Sequence, residues 1–468
     1  MKNTFYTFGP AASISFAARA VHSSNYHASD KSYRTKPPYQ DTPRRPPRIS
    51  LFAIHFNCYI NVRVMFTTLF LDLNSYFASV EQQLRPETRG KPLAVAAVDA
   101  PTTCCIAASY EAKAFGVKTG VMISDAVKMC PGLRVVIARP EEYVKVHHRI
   151  LEAVDTCLPV DAVHSIDEVS CLLLGRERVP QAAFELAHRI KRVILKQVGE
   201  CLRCSIGLAT NTFLAKIATD MQKPDGLIAI PREDLPRCLF KLKLIDLPGI
   251  GPRMEMRLNR QGIDTVEHLC ALSQQQLKNA WGSVIGARWW HLLRGDEIPT
   301  ELTPHKKSLG HQHVLPPEFR HAEAARAVLV RLIHKAAARM RHEKLSAAQM
   351  IVYAQCSDRT TWVRKIGLLD GQDTLEMTRV FGNAWSEQPP MRPLLVGITL
   401  VDLKPAATET MPLFAEDARR GALNRALDKL NLKYGPCTVY PASMQTAKES
   451  APMRIAFKSI PDLTLAGK

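Results

Sequence analysis

The sequence is first informative for what it lacks. No apolar run approaches the roughly 20 residues that a membrane-spanning helix needs. Its twelve cysteines are scattered without the spacing of a disulfide framework, and no apolar run with a cleavage site opens the chain, so a reducing interior compartment is expected. Cys201-Leu202-Arg203-Cys204 is a CxxC without a second pair at zinc-ribbon spacing, and reads as core thiols in a strand. Acids are scarce up to residue 64, where nine Lys and Arg face only Asp30 and Asp41. A basic disordered arm, an organelle-targeting peptide and translation from an upstream start all fit this segment. The last is favoured, because Met65 immediately precedes the first convincing strand.

The chain has 468 residues, enough for about three domains of roughly 150 residues each, and an ordinary 46% of hydrophobic residues. Its formal charge is +18, of which about +11 remains beyond residue 64. A solvated surface would carry such a charge; a polyanion such as nucleic acid would use it.

Charge of the opposite sign sits in two unusual places. In Val163-His164-Ser165-Ile166-Asp167-Glu168-Val169-Ser170-Cys171-Leu172, two adjacent carboxylates interrupt an apolar, β-branched run. Side chains alternate along a strand, so Asp167 and Glu168 point to opposite faces, or meet one site where the strand bends. Nearly a hundred residues earlier, Thr67-Thr68-Leu69-Phe70-Leu71-Asp72 is an apolar strand ending in an acid, followed by Leu73-Asn74-Ser75-Tyr76-Phe77. Buried carboxylates need compensation, and two strand-borne acidic sites suggest one hard-cation site assembled by a sheet.

Periodicity gives a coarse map. Strands are expected at 66–72, 92–98, 134–138, 169–174 and 204–209, with helices at 76–82, 109–117, 141–157 and 180–199. Thr210 or Asn211 caps a further helix with Phe213, Leu214, Ile217 and Met221 inward, closed by the turn Lys223-Pro224-Asp225-Gly226. Residues 231–300 turn helical around Leu247-Pro248-Gly249-Ile250-Gly251, whose glycines let backbone amides approach a phosphate at a helix start. The plainer reading is an ordinary connection between helices. A second α+β unit is expected over 305–405, with strands near 306–315, 347–356 and 394–402. Its helix at 321–341 carries Lys335, Arg339 and Arg341 on a solvated face near its end. A helix at 420–433 closes the pattern.

In order and spacing, Leu71-Asp72-Leu73-Asn74-Ser75-Tyr76-Phe77-Ala78-Ser79-Val80-Glu81, Ser109-Tyr110-Glu111-Ala112-Lys113-Ala114-Phe115-Gly116-Val117, Ser165-Ile166-Asp167-Glu168, Ala215-Lys216-Ile217-Ala218-Thr219-Asp220-Met221 and the hairpin at 247–251 resemble the Y-family (translesion, DinB/UmuC-like) DNA polymerases. The resemblance covers roughly residues 66–405. It implies an α+β multidomain, right-hand polymerase. The palm would be 65–76 and 134–230, the fingers 77–133, the helical thumb with its helix-hairpin-helix 231–300, and the little finger 305–405. Residues 1–64 would be an N-terminal extension and 406–468 a C-terminal tail.

The implied activity is error-prone DNA-directed synthesis on primer-template DNA from dNTP substrates in damage tolerance and repair, in the bacterial cytoplasm at the nucleoid, by a monomer without a membrane partner. By resemblance Asp72 and Asp167 bridge two Mg²⁺ ions, for which Mn²⁺ can substitute. Glu168 completes one site and the Leu73 carbonyl the other; Tyr110, Lys113 and Lys223 hold the triphosphate, and Phe77 crowds a ribose 2′-hydroxyl. The plainer readings are a core aromatic for Phe77 and an exposed turn lysine for Lys223. Gly249 and Gly251 would contact DNA phosphate. Met411-Pro412-Leu413-Phe414 is similar to the peptide by which bacterial members dock on the sliding clamp, with Met411, Leu413 and Phe414 as anchors, although Thr408 and Glu409 stand where a glutamine is expected.

Asn74 stands where many relatives carry a second aspartate, Lys113 where many carry arginine, and Ala107 near a position that often bears a hydroxyl. No segment suggests a proofreading exonuclease. The alternative is a catalytically inactive DNA-binding adaptor of a mutagenesis complex, against which the retained Asp72, Asp167 and Glu168 argue. A hairpin-containing base-excision enzyme lacks a convincing catalytic Lys–Asp pair in the helical segment and leaves the strand-end acids unexplained.

Overall fold

The computed structural model describes residues 65–298 and 306–452, except 370, 390 and 409–414, together with Ile460. The basic extension before Met65 and the apolar peptide with Met411, Leu413 and Phe414 lie outside the described residues.

The first strand, β1 (Thr68–Leu73), is buried at every position, as a strand covered on both faces must be. It runs into α1 (Tyr76–Leu84). Next come β2 (Leu93–Ala96), β3 (Cys105–Ala108), α2 (Tyr110–Lys113), α3 (Ile123–Met129) and β4 (Arg134–Ile137). The chain continues through α4 (Pro140–Asp155), β5 (Ala162–Val163), β6 (Glu168–Leu172), α5 (Pro180–Gln197), β7 (Cys204–Ala209), α6 (Thr212–Met221) and β8 (Leu227–Ile230). A five-stranded sheet in the order β5-β6-β1-β7-β8 places β1 at its centre, antiparallel to both β6 and β7. A separate three-stranded sheet has the order β3-β2-β4. β4 pairs in parallel with β2, so the strand at residue 134, where the expected palm resumes, belongs to this small sheet.

Local chemistry sets several boundaries. Ser109 accepts a hydrogen bond from the Ala112 amide and caps α2, which ends after one turn, shorter than the expected 109–117. β2 stops at Ala96, where a register irregularity interrupts its pairing with β3. Asn211, not Thr210, caps α6 by accepting from the Leu214 amide at 2.8 Å. α6 lies so close to β7 that a Cβ at Gly207 would stand 2.0 Å from the Ala215 carbonyl oxygen, which glycine alone permits.

Four short helices follow: α7 (Pro252–Asn259), α8 (Val266–Ala271), α9 (Gln274–Trp281) and α10 (Val284–Leu292). They share a core with α6 through Leu258, Val266, Leu269, Leu277 and Trp289. The second α+β unit comprises β9 (Ser308–Val314), α11 (Ala322–His342), β10 (Leu345–Cys356), β11 (Thr361–Gly367), α12 (Thr374–Ser386), β12 (Pro393–Pro405) and α13 (Ala415–Tyr434). Its four-stranded sheet has the order β11-β10-β12-β9. β11 and α12 are additions to the expected pattern. β11 is an edge strand with only Trp362 buried, so its Thr, Arg and Lys positions mask the alternation in the sequence.

The basic end of α11 is not a solvated face. Arg341 forks onto both oxygens of Asp428 at 2.7 and 2.9 Å and also donates to the Gln372 carbonyl and the Thr374 hydroxyl. Cys201 and Cys204 are free thiols, Cys201 in a turn and Cys204 opening β7. No helix among the described residues is long and apolar enough to cross a membrane.

Candidate active site

Antiparallel pairing fixes the frame. β1 and β6 align Asp72 opposite Glu168, and cross-strand partners point to the same face of a sheet. Asp167 occupies the bend just before β6, where the Leu73 amide donates to its carbonyl at 2.8 Å. The bend therefore brings two sequence neighbours into one site, the second of the two arrangements open to adjacent strand acids. His147, buried in α4, holds the turn from behind through Nδ1 and the Ile166 carbonyl at 2.8 Å.

A cavity of about 250 Å³ opens at this end of β1. Asp72, Leu73, Phe77, Tyr110, Lys113, Asp167, Glu168 and Lys223 all line it. Gly249 and Gly251 are elsewhere, in the hairpin before α7. Gly249 has φ +102°, a left-handed conformation that favours glycine, and a Cβ there would meet the Trp289 ring at 3.3 Å. Gly251 precedes α7 with open space around its α-carbon.

The carboxylates are balanced by lysines. Lys216 Nζ pairs with Asp72, with Glu168 at 3.0 Å and with Asp220 at 3.2 Å. Lys223 Nζ pairs with Asp72 at 2.8 Å and Asp220 at 2.7 Å. Burial works against the Lys216 ammonium, but Asp72, Asp220 and Glu168 together hold its pKa above the ordinary value. Asp167 is pushed up to about 6, first by burial and then by the charges of Asp72 and Glu168, while the hydrogen bond from Ser165 Oγ opposes the shift. Among the described residues no three acidic, histidine or cysteine side chains converge tightly enough to hold an ion as they stand. The donor set nevertheless fits a hard divalent cation: the repulsion that raises Asp167 is the kind such an ion relieves.

Across the cavity, Lys113 donates to Ser75 Oγ at 2.6 Å and lies 4.4 Å from the centre of the Tyr110 ring. Burial and the neighbouring Lys223 charge lower the Lys113 pKa. Phe77 both lines the cavity and belongs to the core, its ring stacked on Tyr143 with centroids 4.7 Å apart. Asn74 Oδ1 accepts from the Asp225 amide at 2.7 Å and its Nδ2 donates to Ser205 Oγ at 3.1 Å. The asparagine thus fastens the Lys223-Pro224-Asp225-Gly226 turn to β1. Ala107 lines the cavity with a methyl group.

Sequence reading passed over Lys216, Ser75, Tyr76 and Thr119 as lining residues. Only Lys216 had a visible signal: with Asp220 it forms an i,i+4 pair on an otherwise apolar helix.

Residues 71–220 match the impB/mucB/samB family, residues 306–413 the C-terminal domain of that family, and residues 245–297 the DNA polymerase-iota thumb domain. The chain is 33% identical over 386 residues to DNA polymerase IV of Moorella thermoacetica, spanning 80% of this chain and 95% of that one. To DNA polymerase IV 1 of Bacillus subtilis it is 29% identical over 400 residues, spanning 81% and 93%. Among solved structures, a Y-family DNA polymerase chimera superposes with TM-score 0.59 at 25% identity, covering 72% of this chain and 98% of that one. The insertion ternary complex of Dbh DNA polymerase gives 0.50 at 25% identity, with 71% and 98% covered.

Proposed function

The chain belongs to the Y-family, the DinB/UmuC-like impB/mucB/samB polymerases, and from that premise we propose how this DNA-directed DNA polymerase works. Its architecture is that of the right-hand polymerases, and its class is translesion. The reaction we infer transfers a dNMP to a primer 3′-hydroxyl with loss of pyrophosphate, in DNA damage tolerance and repair. One observation carries the reading. Asp72, Asp167, Glu168, Leu73, Phe77, Tyr110, Lys113 and Lys223, the residues this chemistry would need, line one cavity of about 250 Å³.

Asp72, Asp167 and Glu168 would hold divalent metal, with the Leu73 carbonyl as a neutral oxygen donor. When bound, two Mg²⁺ or Mn²⁺ ions supply Lewis-acid activation of the hydroxyl and neutralise charge on the departing pyrophosphate. The chain's own residues do the rest. Lys113, Lys223 and Tyr110 bind and orient the triphosphate, positioning that phosphoryl-type transfer chiefly requires. Lys216 balances the charges of Asp72 and Glu168 before substrate arrives. Phe77 occupies the space a ribose 2′-hydroxyl would need. The Gly249–Gly251 hairpin offers backbone amides to the DNA backbone.

We assign the five-stranded sheet with its helices to the palm, the segment around the three-stranded sheet to the fingers, residues 231–300 to the thumb and 305–405 to the little finger. Met411, Leu413 and Phe414 would dock on a sliding clamp. A monomer acting in the cytoplasm, at the nucleoid, completes the reading.

Primer extension tests it. Purified protein with Mg²⁺, dNTPs and a primer-template is expected to extend the primer, and chelation is expected to stop it. DNA binding that weakens with salt, without extension in either Mg²⁺ or Mn²⁺, would overturn the reading in favour of the inactive adaptor.

A further inference from the structure

The ring behind Phe77 is held more firmly than core packing requires. Tyr143 on α4 is buried, and its ring stacks on Phe77 with an interplanar angle of 22°. Its hydroxyl donates to Glu81 Oε1 at 2.8 Å, and its backbone carbonyl accepts from the Tyr76 hydroxyl at 2.6 Å. Glu81 is wholly buried and lies on α1, four residues beyond Phe77 and so on the same face of that helix. Arg139, four residues before Tyr143, forks onto the same carboxylate with Nε at 3.1 Å and a terminal nitrogen at 2.7 Å. Arg85 adds a third contact at 3.4 Å.

These contacts close a loop. Phe77 touches the Tyr143 ring, Tyr143 bonds Glu81, and Glu81 returns to the helix that carries Phe77. The Tyr143 ring cannot slide along Phe77 without straining its hydroxyl–carboxylate bond to Glu81, which the Arg139 fork holds in place. A buried ion pair adds little stability over apolar packing of the same volume, and its best-attested use is to fix register. Burial and the Glu81 charge also keep the Tyr143 phenol protonated, and so a donor. None of Tyr143, Glu81 and Arg139 lines the cavity.

We propose that Tyr143, locked by Glu81 and Arg139, is a positioning residue that sets how far the Phe77 ring projects into the cavity and therefore how strictly ribonucleotides are refused. The proposal rests on Phe77 being the sugar gate. A gate set by stacking from behind acts over fractions of an ångström, the scale on which a van der Waals clash with one hydroxyl is won or lost.

The test compares incorporation efficiency, kcat/KM, for one dNTP and its matching rNTP in the full chain and in Phe77→Ala, Tyr143→Leu, Glu81→Gln and the double variant Phe77→Ala/Glu81→Gln. Phe77→Ala is expected to relax sugar selectivity by about 100-fold, and Tyr143→Leu and Glu81→Gln by about tenfold each, mainly through a lower KM for the rNTP. The double variant should be no more permissive than Phe77→Ala, because Glu81 acts only through the gate. Glu81→Gln keeps the side-chain shape, so it carries the test if Tyr143→Leu fails to fold. Unchanged selectivity in Phe77→Ala would remove the gate itself. Relaxed selectivity in Phe77→Ala with wild-type selectivity in Glu81→Gln, or additive effects in the double variant, would leave the gate standing and overturn the role of Tyr143.

Discussion

At one end of β1, carboxylates from two strands pair directly with two lysines beside a cavity, whereas under the four-stranded sheet the charges fasten one helix to another. In the first region Asp72 and Glu168 share Lys216, and Asp72 shares Lys223 with Asp220. In the second, Arg341 spends its fork on Asp428 and its remaining donor on Gln372 and Thr374, while Asn424 and Arg420 tie α13 to the buried Asp373. Both regions pair charge with charge, yet only the first set of pairs lines the cavity at the end of β1. Burial of a charged group alone therefore does not mark a reactive site; charge that lines a cavity does.

That contrast can be broken by mutation. The largest effect is expected from Asp167→Ala or Glu168→Ala, which should lower single-nucleotide incorporation by about 1,000-fold or more, as loss of charge stabilisation at a reacting centre does. Primer-template binding and unfolding temperature should change little. Retained synthesis with lost DNA binding would mean that these acids serve the grip on DNA. Arg341→Met should do the reverse. Removing the cation leaves Asp428 and two acceptors without their partner, at about 2–3 kcal/mol for a pair that keeps some exposure. Hydrogen exchange should show faster opening of α11 and α13, with incorporation by the folded fraction unaltered. If Arg341→Met abolished incorporation without loosening those helices, the division between fastening and chemistry would be wrong.

The two regions also differed in how much the sequence disclosed. Asp72, Asp167, Glu168, Phe77, Tyr110, Lys113 and Lys223 were legible because each sits in a short motif at a strand end or helix start, and all of them line the one cavity. The direction of Asp167 was not legible, since alternation in a strand allows two arrangements and only the bend before β6 decides between them. Lys216 carried a signal in its i,i+4 spacing from Asp220, but its pairing with Asp72 and Glu168 depends on α6 lying against β1 and β7, a tertiary fact. In the second region β11 escaped because an edge strand with one buried residue carries almost no period-2 signal. The basic residues of α11 read as solvated because α13, which supplies Asp428, is almost ninety residues away in sequence. Long-range partners are what local pattern cannot supply.

Acid tests, with a smaller expected effect, whether the two regions respond independently. Burial pushes His147 behind the cavity down to about 4. In the second unit two histidines are lowered: His311 to about 3, by burial and then by Lys335 and Arg339, and His334 to about 4, by burial and then by Arg341. A histidine whose pKa falls on folding is neutral in the native state and binds its proton more readily when unfolded. Its contribution is therefore fully present above the unfolded pKa of about 6.5 and declines as pH falls toward the folded value. The slope is at most about 1.4 kcal/mol per pH unit for each such histidine. Burial lowers His164 in the five-stranded unit as well, so each unit holds two such histidines and both are expected to lose stability between about pH 6.5 and 4. The Nε2 atom of His311 is buried with no hydrogen-bond partner, so protonation there finds no acceptor to soften the penalty. Hydrogen exchange corrected for its intrinsic pH dependence should show both α11 and α4 losing protection as pH falls below about 6.5. His311→Leu should flatten the acid slope of α11 and leave α4 as it was. A His311→Leu variant with the α11 slope intact, or one that flattens α4 equally, would show that acid acts on the two sheets through charges they share.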